Sequence, residues 1–291
     1  LPERTRFAPS PTGLLHLGHA YAAISAYNAA RSGEFLVRIE DLDCARSREE
    51  FTAAVYEDLS WLGLCWIEPV LRQSARSAAY RDALQQLEAR GLVYPCFCTR
   101  REIADEVARS SEAPHDVTAQ VVYPGTCRGL TASQRTQRFA EGRGHALRLD
   151  VRQAVDLCPD LEFDEHGEGP NGERGTVRVD PTLFGDIVLA RKDLAAAYHL
   201  AVVVDDAFQR ISLVTRGNDL FSSTPVQRLL QYLLGLPTPR YAHHRLILDS
   251  GGKKFSKRDH AVTLRSLRSA GVSPKQICEQ IGLSLTPATA R

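Results

Sequence analysis

The chain has 291 residues, 43% hydrophobic and 24% charged, with a formal net charge of +1. That length predicts two domains or one domain with an insertion, and that composition excludes a disordered, collagenous or disulfide-framework chain. No apolar run approaches the roughly 18 residues of a membrane span, and the start LPERTRFAPS lacks a secretory pattern, so the expected location is the cytoplasm, without a membrane partner and with reduced or metal-bound cysteines.

Arg4 to Ala8 reads as a short strand broken by Pro9 and Pro11, and LLHLGHAYAAISAYNAARSG runs helically to a stop at Gly33. Strand, tight turn and helix make the opening of a nucleotide-binding α/β unit. Glu34 to Ile39 is the next predicted strand, with Phe35, Val37 and Ile39 alternating against Leu36 and Arg38, and it ends in the acidic cluster EDLD. Two amphipathic helices follow, Ser47 to Leu62 and Ser74 to Arg90; Phe51, Val55, Leu59 and Leu62 share one face of the first.

After Gly91 the pattern changes to PCFCTRREI, a polar stretch, YPGTCRGL, and short Val- and Leu-rich strands around a Gly-rich acidic loop from Asp164 to Gly175. Strand signals return at Asp186 to Arg191 and Arg210 to Thr215, with helices at Ala195 to Val204 and after Ser222. From Pro237 a helical tail is predicted, with the loop DSGGKKFSKRD inside it. The expected division is a Rossmann-like first half (1–92), an insertion with its own small core (93–180), a Rossmann-like second half (181–236) and a helical C-terminal segment (237–291). Charge is uneven along it. Arg240 to Lys275 holds nine Lys or Arg against Asp249 and Asp259, and Asp156 to Asp180 holds eight acids against Arg174 and Arg178. The basic stretch fits a polyanion-facing end and a solvated helix face about equally well.

The strongest signal is RFAPSPTGLLHLGH, from Arg6 to His19. Two histidines three apart at a helix start direct imidazole donors and unpaired backbone N–H groups toward a polyphosphate, where helix-end geometry favours an anion. KFSKR, from Lys254 to Arg258, supplies ammonium groups that can follow charge building on a pyrophosphate leaving group. Each alone is weak, because histidine pairs are often structural and lysine clusters are usually solvated. In this order, with RIED between them, they reinforce each other.

On these residues the chain resembles the class I aminoacyl-tRNA synthetases, specifically the glutamyl branch, with HLGH and KFSKR as the two signature motifs. The resemblance implies an α/β, Rossmann-like catalytic core that binds ATP with Mg2+ through His16, Gly18, His19 and Lys257. It implies His16, His19, Lys254 and Lys257 as the catalytic residues of adenylate formation, largely by positioning and electrostatics. It also implies that L-glutamate lies against Arg6, Ala8, Ser10, Glu40, Tyr198 and Arg216. A pocket for glutamate needs fixed cations for its carboxylates and an acid for its ammonium. Arg6 and Arg216 are the expected carboxylate partners, Glu40 the ammonium partner, and Tyr198 an orienting residue. Ordinary alternatives are a Glu40–Arg38 pair at the strand end and a core position for Tyr198.

Cys96, Cys98, Tyr123 and Cys127 form a C-x-C and Y-x-x-x-C set around Pro124 and Gly125. On spacing alone a tetrahedral zinc site and buried thiols are evenly matched. The set resembles that of one subgroup, the glutamyl-queuosine tRNA(Asp) synthetases, which implies Zn2+ in the insertion. Cys44, Cys65, Cys158 and Cys278 lack such grouping and read as core residues. Two further features match that subgroup. Val202 stands where many glutamyl-tRNA synthetases have Asn, which is expected to change hydrogen bonding in the pocket. Only 33 residues follow Arg258, so an anticodon-binding region is expected to be absent or cut off.

The resemblance therefore implies ATP-dependent activation of glutamate and its transfer, by a monomer, to queuosine in the anticodon of tRNA(Asp). The basic stretch from Arg240 is the expected tRNA contact. A glutamyl-tRNA synthetase catalytic half charging the 3′ end of tRNA(Glu), and a non-catalytic zinc- and RNA-binding paralogue, remain the alternatives.

Overall fold

The computed structural model describes residues 2–31, 33–109, 122–191, 195–247 and 262–286. Strand β1 (Arg4–Phe7), helix α1 (Leu17–Ala30) and strand β2 (Glu34–Ile39) open the chain. Then come α2 (Glu49–Trp61), β3 (Ile67–Arg72) and α3 (Ser77–Ala89). Strand β3 was not expected, since its IEPVLR has too few alternating apolar positions to stand out. Helix α1 begins at Leu17 rather than Leu14 because His16 caps it. Gly33 ends the turn after it where a Cβ would overlap the Glu3 carbonyl oxygen, so the chain can re-enter the sheet only with glycine there.

Strands β4 (Val93–Cys96), β5 (Ala146–Leu149) and, later, β8 (Val188–Arg191) form an antiparallel sheet in the order β4-β5-β8. Helices α4 (Arg100–Arg109) and α5 (Ala132–Ala140) lie between β4 and β5 in the chain, and α6 (Val151–Val155) follows β5. Strands β6 (Leu161–Glu165) and β7 (Gly175–Val179) make a hairpin. Helix α7 (Tyr198–Phe208), strand β9 (Leu213–Gly217), helix α8 (Thr224–Leu233) and strand β10 (Arg240–His244) follow, then the short helices α9 (Leu264–Ser269) and α10 (Pro274–Ile281). No helix among the described residues is long and apolar enough to cross a membrane.

Parallel strands β1-β2-β3 form one sheet, and β7-β6-β10-β9 form another in which β6, β10 and β9 are parallel. The two meet along β1 and β9, where the Ser212 N–H donates to the Arg4 carbonyl at 3.0 Å and the Arg4 N–H donates to Ser212 Oγ at 2.8 Å. The chain thus runs outward from β1 to β3 and returns to β9 on the other side of β1. That reversal opens a crevice beyond the carboxyl ends of β1 and β9, the usual ligand position in an open α/β sheet.

Two expectations are corrected here. Arg240–His244 is a strand paired in register with β9, not part of a helical tail; RYAHH carries too little aliphatic character to announce it, and its burial alternates only because neighbouring strands cover it. Sheet membership also crosses the expected boundary at 180: β6 pairs with β10, while β8 pairs with β5.

Candidate active site

The crevice at the β1/β9 reversal is a cavity of about 580 Å³. Arg6, Ala8 and Ser10 reach it from β1 and the turn beyond, and His16, Gly18 and His19 from the start of α1. Glu40 follows β2, Tyr198 opens α7 and Arg216 lies near the end of β9. Every expected glutamate- or ATP-contacting residue among the described ones therefore lines a single space. Asp219, His244 and Arg245 line it as well and were not singled out in the sequence, because no motif spacing links them to the others.

The two histidines cap each other's turn. His16 Nδ1 accepts the Gly18 N–H at 3.1 Å, and His19 Nδ1 accepts the His16 N–H at 3.2 Å. Gly18 suits this close packing, since a Cβ there would stand 3.0 Å from the His16 ring. With Nδ1 accepting in both rings, the neutral imidazole proton resides on Nε2, making each ring an Nε2–H donor. The capping consumes the Gly18 and His16 N–H groups, and the helix start presents two ring Nε2–H donors on the positive end of its dipole, a combination suited to phosphate oxygens.

Behind the cavity lies a buried charge network. Arg6 grips Asp206 through Nε at 2.9 Å and Nη2 at 3.2 Å, and its Nη1 donates to the Thr215 carbonyl at 3.2 Å. Arg38, fully buried, donates to Asp206 at 2.6 Å, to Gln209 at 3.0 Å and to Glu40 at 3.2 Å. Burial would raise the Asp206 carboxyl, but Arg6 and Arg38 outweigh it and hold it below the usual range. For Glu40 the balance reverses: burial pushes it up despite the pull of Arg38 and Arg6. The Glu40–Arg38 pair is thus present, and Glu40 still faces the cavity. Asp206 was missed in the sequence, and Arg38 was weighed only as an ordinary partner of Glu40; the signal for Asp206 was the paired acids ending the apolar run VVVDD.

Arg216 is held differently. Its Nε donates to His243 Nε2 at 3.0 Å, Nη1 to Gln227 at 2.6 Å and Nη2 to Thr224 at 2.7 Å. All three acceptors are uncharged. Among the described residues no carboxylate pairs with this buried guanidinium, whereas Arg6 and Arg38 both have one. A buried cation without a direct counter-ion suits an anionic ligand.

Val202, one turn beyond Tyr198, is 2% exposed and packs in the core, and it does not line the cavity. Lys254 and Lys257 lie outside the described residues. Their flanks are described: Ile247 lines the cavity, and Thr263 bridges to His16 while the Leu264 N–H donates to the Leu15 carbonyl at 2.8 Å. Among the described residues, the cations of the basic stretch are paired or bonded to the protein. Arg240 meets Glu3, Arg265 and Arg268 meet Glu57, and Arg245 donates to the Ile281 carbonyl.

After β4, a second cluster gathers Cys96, Cys98 and Cys127, with all three Sγ atoms within 4.8 Å of one another. Cys98 Sγ is 3.5 Å from Cys127 Sγ and 3.7 Å from the Tyr123 hydroxyl, which accepts the Cys127 N–H at 2.8 Å. The hydrogen bond from Cys96 lowers the Cys127 thiol to about 6, while Cys96 is pushed up to about 12. Of the cysteines expected in the core, Cys278 is buried and Cys158 half-buried, but Cys44 and Cys65 are exposed. Both lie in loops between elements, where no apolar periodicity governs burial.

A β1/β9 crevice with a histidine-capped helix on one side and anion-seeking arginine on the other defines the catalytic fold of a class I aminoacyl-tRNA synthetase. The chain belongs to the family described as tRNA synthetases class I (E and Q), catalytic domain, whose model matches residues 3–290. It is 47% identical over 285 residues to a glutamyl-Q tRNA(Asp) synthetase of Rhodobacter capsulatus, covering 96% of this chain and 99% of that protein. It is 39% identical to the glutamate-tRNA ligase of Aquifex aeolicus over 94% of this chain, but spans only 55% of that protein. A crystal structure of the glutamate tRNA ligase of Elizabethkingia meningosepticum, in complex with its amino acid, superposes with a TM-score of 0.72 at 31% identity. That match covers 89% of this chain and 52% of the other, so the chain spans about half the length of this solved ligase.

Proposed function

We propose that this chain activates L-glutamate with ATP and transfers it to the queuosine base in the anticodon of tRNA(Asp), acting in the cytoplasm as a monomer. The observation that carries the glutamate half is Arg216, a buried guanidinium facing the cavity whose partners among the described residues are all neutral. Glutamate brings two carboxylates and an ammonium; Arg216 and the remaining N–H groups of Arg6 receive the former, and Glu40 the latter. Tyr198 and the backbone around Ala8 and Ser10 orient the substrate. The glutamate α-carboxylate oxygen then attacks the α-phosphorus of ATP, and the bond to pyrophosphate breaks. His16 and His19 hold phosphate oxygens through their ring Nε2–H donors, Gly18 leaves the approach to the helix start open, and Mg2+ accompanies the triphosphate. Lys254 and Lys257, assigned from sequence, follow the charge onto the leaving pyrophosphate. In the second step an acceptor hydroxyl attacks the mixed anhydride and AMP leaves.

The transfer half is supported by likeness to proteins named glutamyl-Q tRNA(Asp) synthetase at 47%, 42% and 43% identity. Its test uses labelled glutamate with tRNA(Asp) containing queuosine, the same tRNA with guanosine, and tRNA(Glu). Label should enter only the first and survive removal of the 3′-terminal adenosine. Charging of tRNA(Glu), or loss of label on trimming, would instead identify the catalytic half of a glutamyl-tRNA synthetase.

We also propose that Cys96, Cys98, Tyr123 and Cys127 hold zinc in an insertion that follows β4. The donors fit: three sulfurs and a phenol oxygen converge, and sulfurs bound at about 2.3 Å in a tetrahedron stand a little under 4 Å apart. Zinc there would tie β4 to the turn before α5 in place of an extended apolar core. The purified protein should contain about one zinc per chain, reduced by Cys127→Ser. Metal-free protein with all seven thiols titrating freely would remove the assignment.

A further inference from the structure

The acidic hairpin β6–β7 has no part in the reading above, yet one of its carboxylates is buried behind the cavity. Glu165 ends β6, and its side chain and that of His243 are both 0% exposed. Glu165 Oε2 lies 2.5 Å from His243 Nδ1, while Oε1 accepts the backbone N–H of His243 at 2.9 Å and of Gly167 at 2.7 Å. His243 is the register partner of Arg216 across β9 and β10, and its Nε2 accepts the Arg216 Nε–H. We propose that Glu165 and His243 are positioning residues that aim Arg216 at the substrate carboxylate and reserve its charge for an anion. The proposal rests on the glutamate reading above.

The chemistry of the chain of contacts has one solution. A guanidinium nitrogen can only donate, so His243 Nε2 must be the acceptor and its ring proton must sit on Nδ1, facing Glu165. Burial lowers the His243 imidazole, keeping it neutral and able to accept. Glu165 is held below the usual carboxylate range: burial opposes this, but its bonds from His243 and Gly167 prevail. The assembly is therefore cation, neutral ring, anion.

The contrast with Arg6 shows what the ring achieves. Asp206 sits directly on Arg6 in a two-point pair, so a ligand carboxylate must compete with it. At Arg216 the compensating carboxylate stands one imidazole away. It offsets part of the cost of burying a cation without occupying the N–H groups that face the cavity. The geometry is fixed by packing. Gly167 lies so close to β10 that a Cβ would overlap the His243 carbonyl oxygen, and the His243 ring is held edge-on by Phe221 at 4.9 Å between centroids.

The test compares Glu165→Gln, His243→Leu and His243→Gln in glutamate-dependent pyrophosphate exchange. Glutamine at 243 can still offer an oxygen to the Arg216 Nε–H, whereas leucine cannot. Glu165→Gln and His243→Leu should raise the KM for glutamate about 10- to 100-fold, the loss expected for a buried charged contact. The KM for ATP and kcat at saturating glutamate should stay within about threefold. His243→Gln should recover most of the glutamate KM. Parallel losses in kcat and in the KM for ATP, a glutamine variant as impaired as the leucine one, or failure of all three variants to fold would overturn the proposal. Wild-type protein that shows no glutamate-dependent exchange would instead overturn the functional reading itself.

Discussion

Replacing Arg216 by alanine is expected to lower kcat/KM for glutamate in pyrophosphate exchange by between about two and nearly four orders of magnitude. The reason is electrostatic: the ligand carboxylate would enter a site from which its buried cation has gone, and an unpaired buried charge costs about 3–5 kcal/mol. Arg216→Lys should restore little. The guanidinium is held at three nitrogens by His243, Gln227 and Thr224, a fork an ammonium cannot reproduce. An alanine variant whose glutamate KM and kcat both stay within about threefold of wild type would remove Arg216 from substrate recognition.

Asp206→Asn should lower stability by about 3–5 kcal/mol, on the order of 10 °C in melting midpoint. Two buried guanidinium groups, Arg6 and Arg38, converge on this carboxylate, and asparagine would leave both facing a neutral amide. The pH dependence has a definite sign. The folded Asp206 carboxyl titrates below its ordinary value, so its contribution is complete above roughly pH 4, where the unfolded group is ionised. It is lost as pH falls through the depressed folded value. Wild type and variant should therefore differ by a constant amount from about pH 5 to 8 and converge in acid. A difference that widens toward acid, or stays below about 1 kcal/mol at neutral pH, would show that the network is not held by this charge.

The two predictions separate groups that look alike in sequence. Arg6 and Arg216 were both expected to bind carboxylates. Arg6 is largely committed to Asp206, so its share in binding is carried by donors left over from a structural pair. Arg216 has its charge intact. This asymmetry makes Arg216 the sharper probe of recognition and Asp206 the sharper probe of the scaffold.

What the sequence determined by itself was the local chemistry: a strand, a Pro- and Gly-shaped turn, a helix starting at a pair of histidines, and a C-x-C near a tyrosine and a third cysteine. Each feature spans a few dozen residues at most, and cap, turn and alternation rules act over that range. The strand Glu34–Ile39 was legible for the same reason. Pairing between distant strands was not. Arg38 and Asp206 are 168 residues apart, Arg6 and Asp206 are 200 apart, and Glu165 and His243 are 78 apart. No spacing rule connects such positions; they meet because β9 returns beside β1 and β10 lies between β9 and β6. Tertiary structure alone decided that RYAHH is a strand, that Val202 faces the core, and that a glutamate in an acidic hairpin reaches the back of an arginine. Strand order brings these groups together, and burial then makes their charges matter.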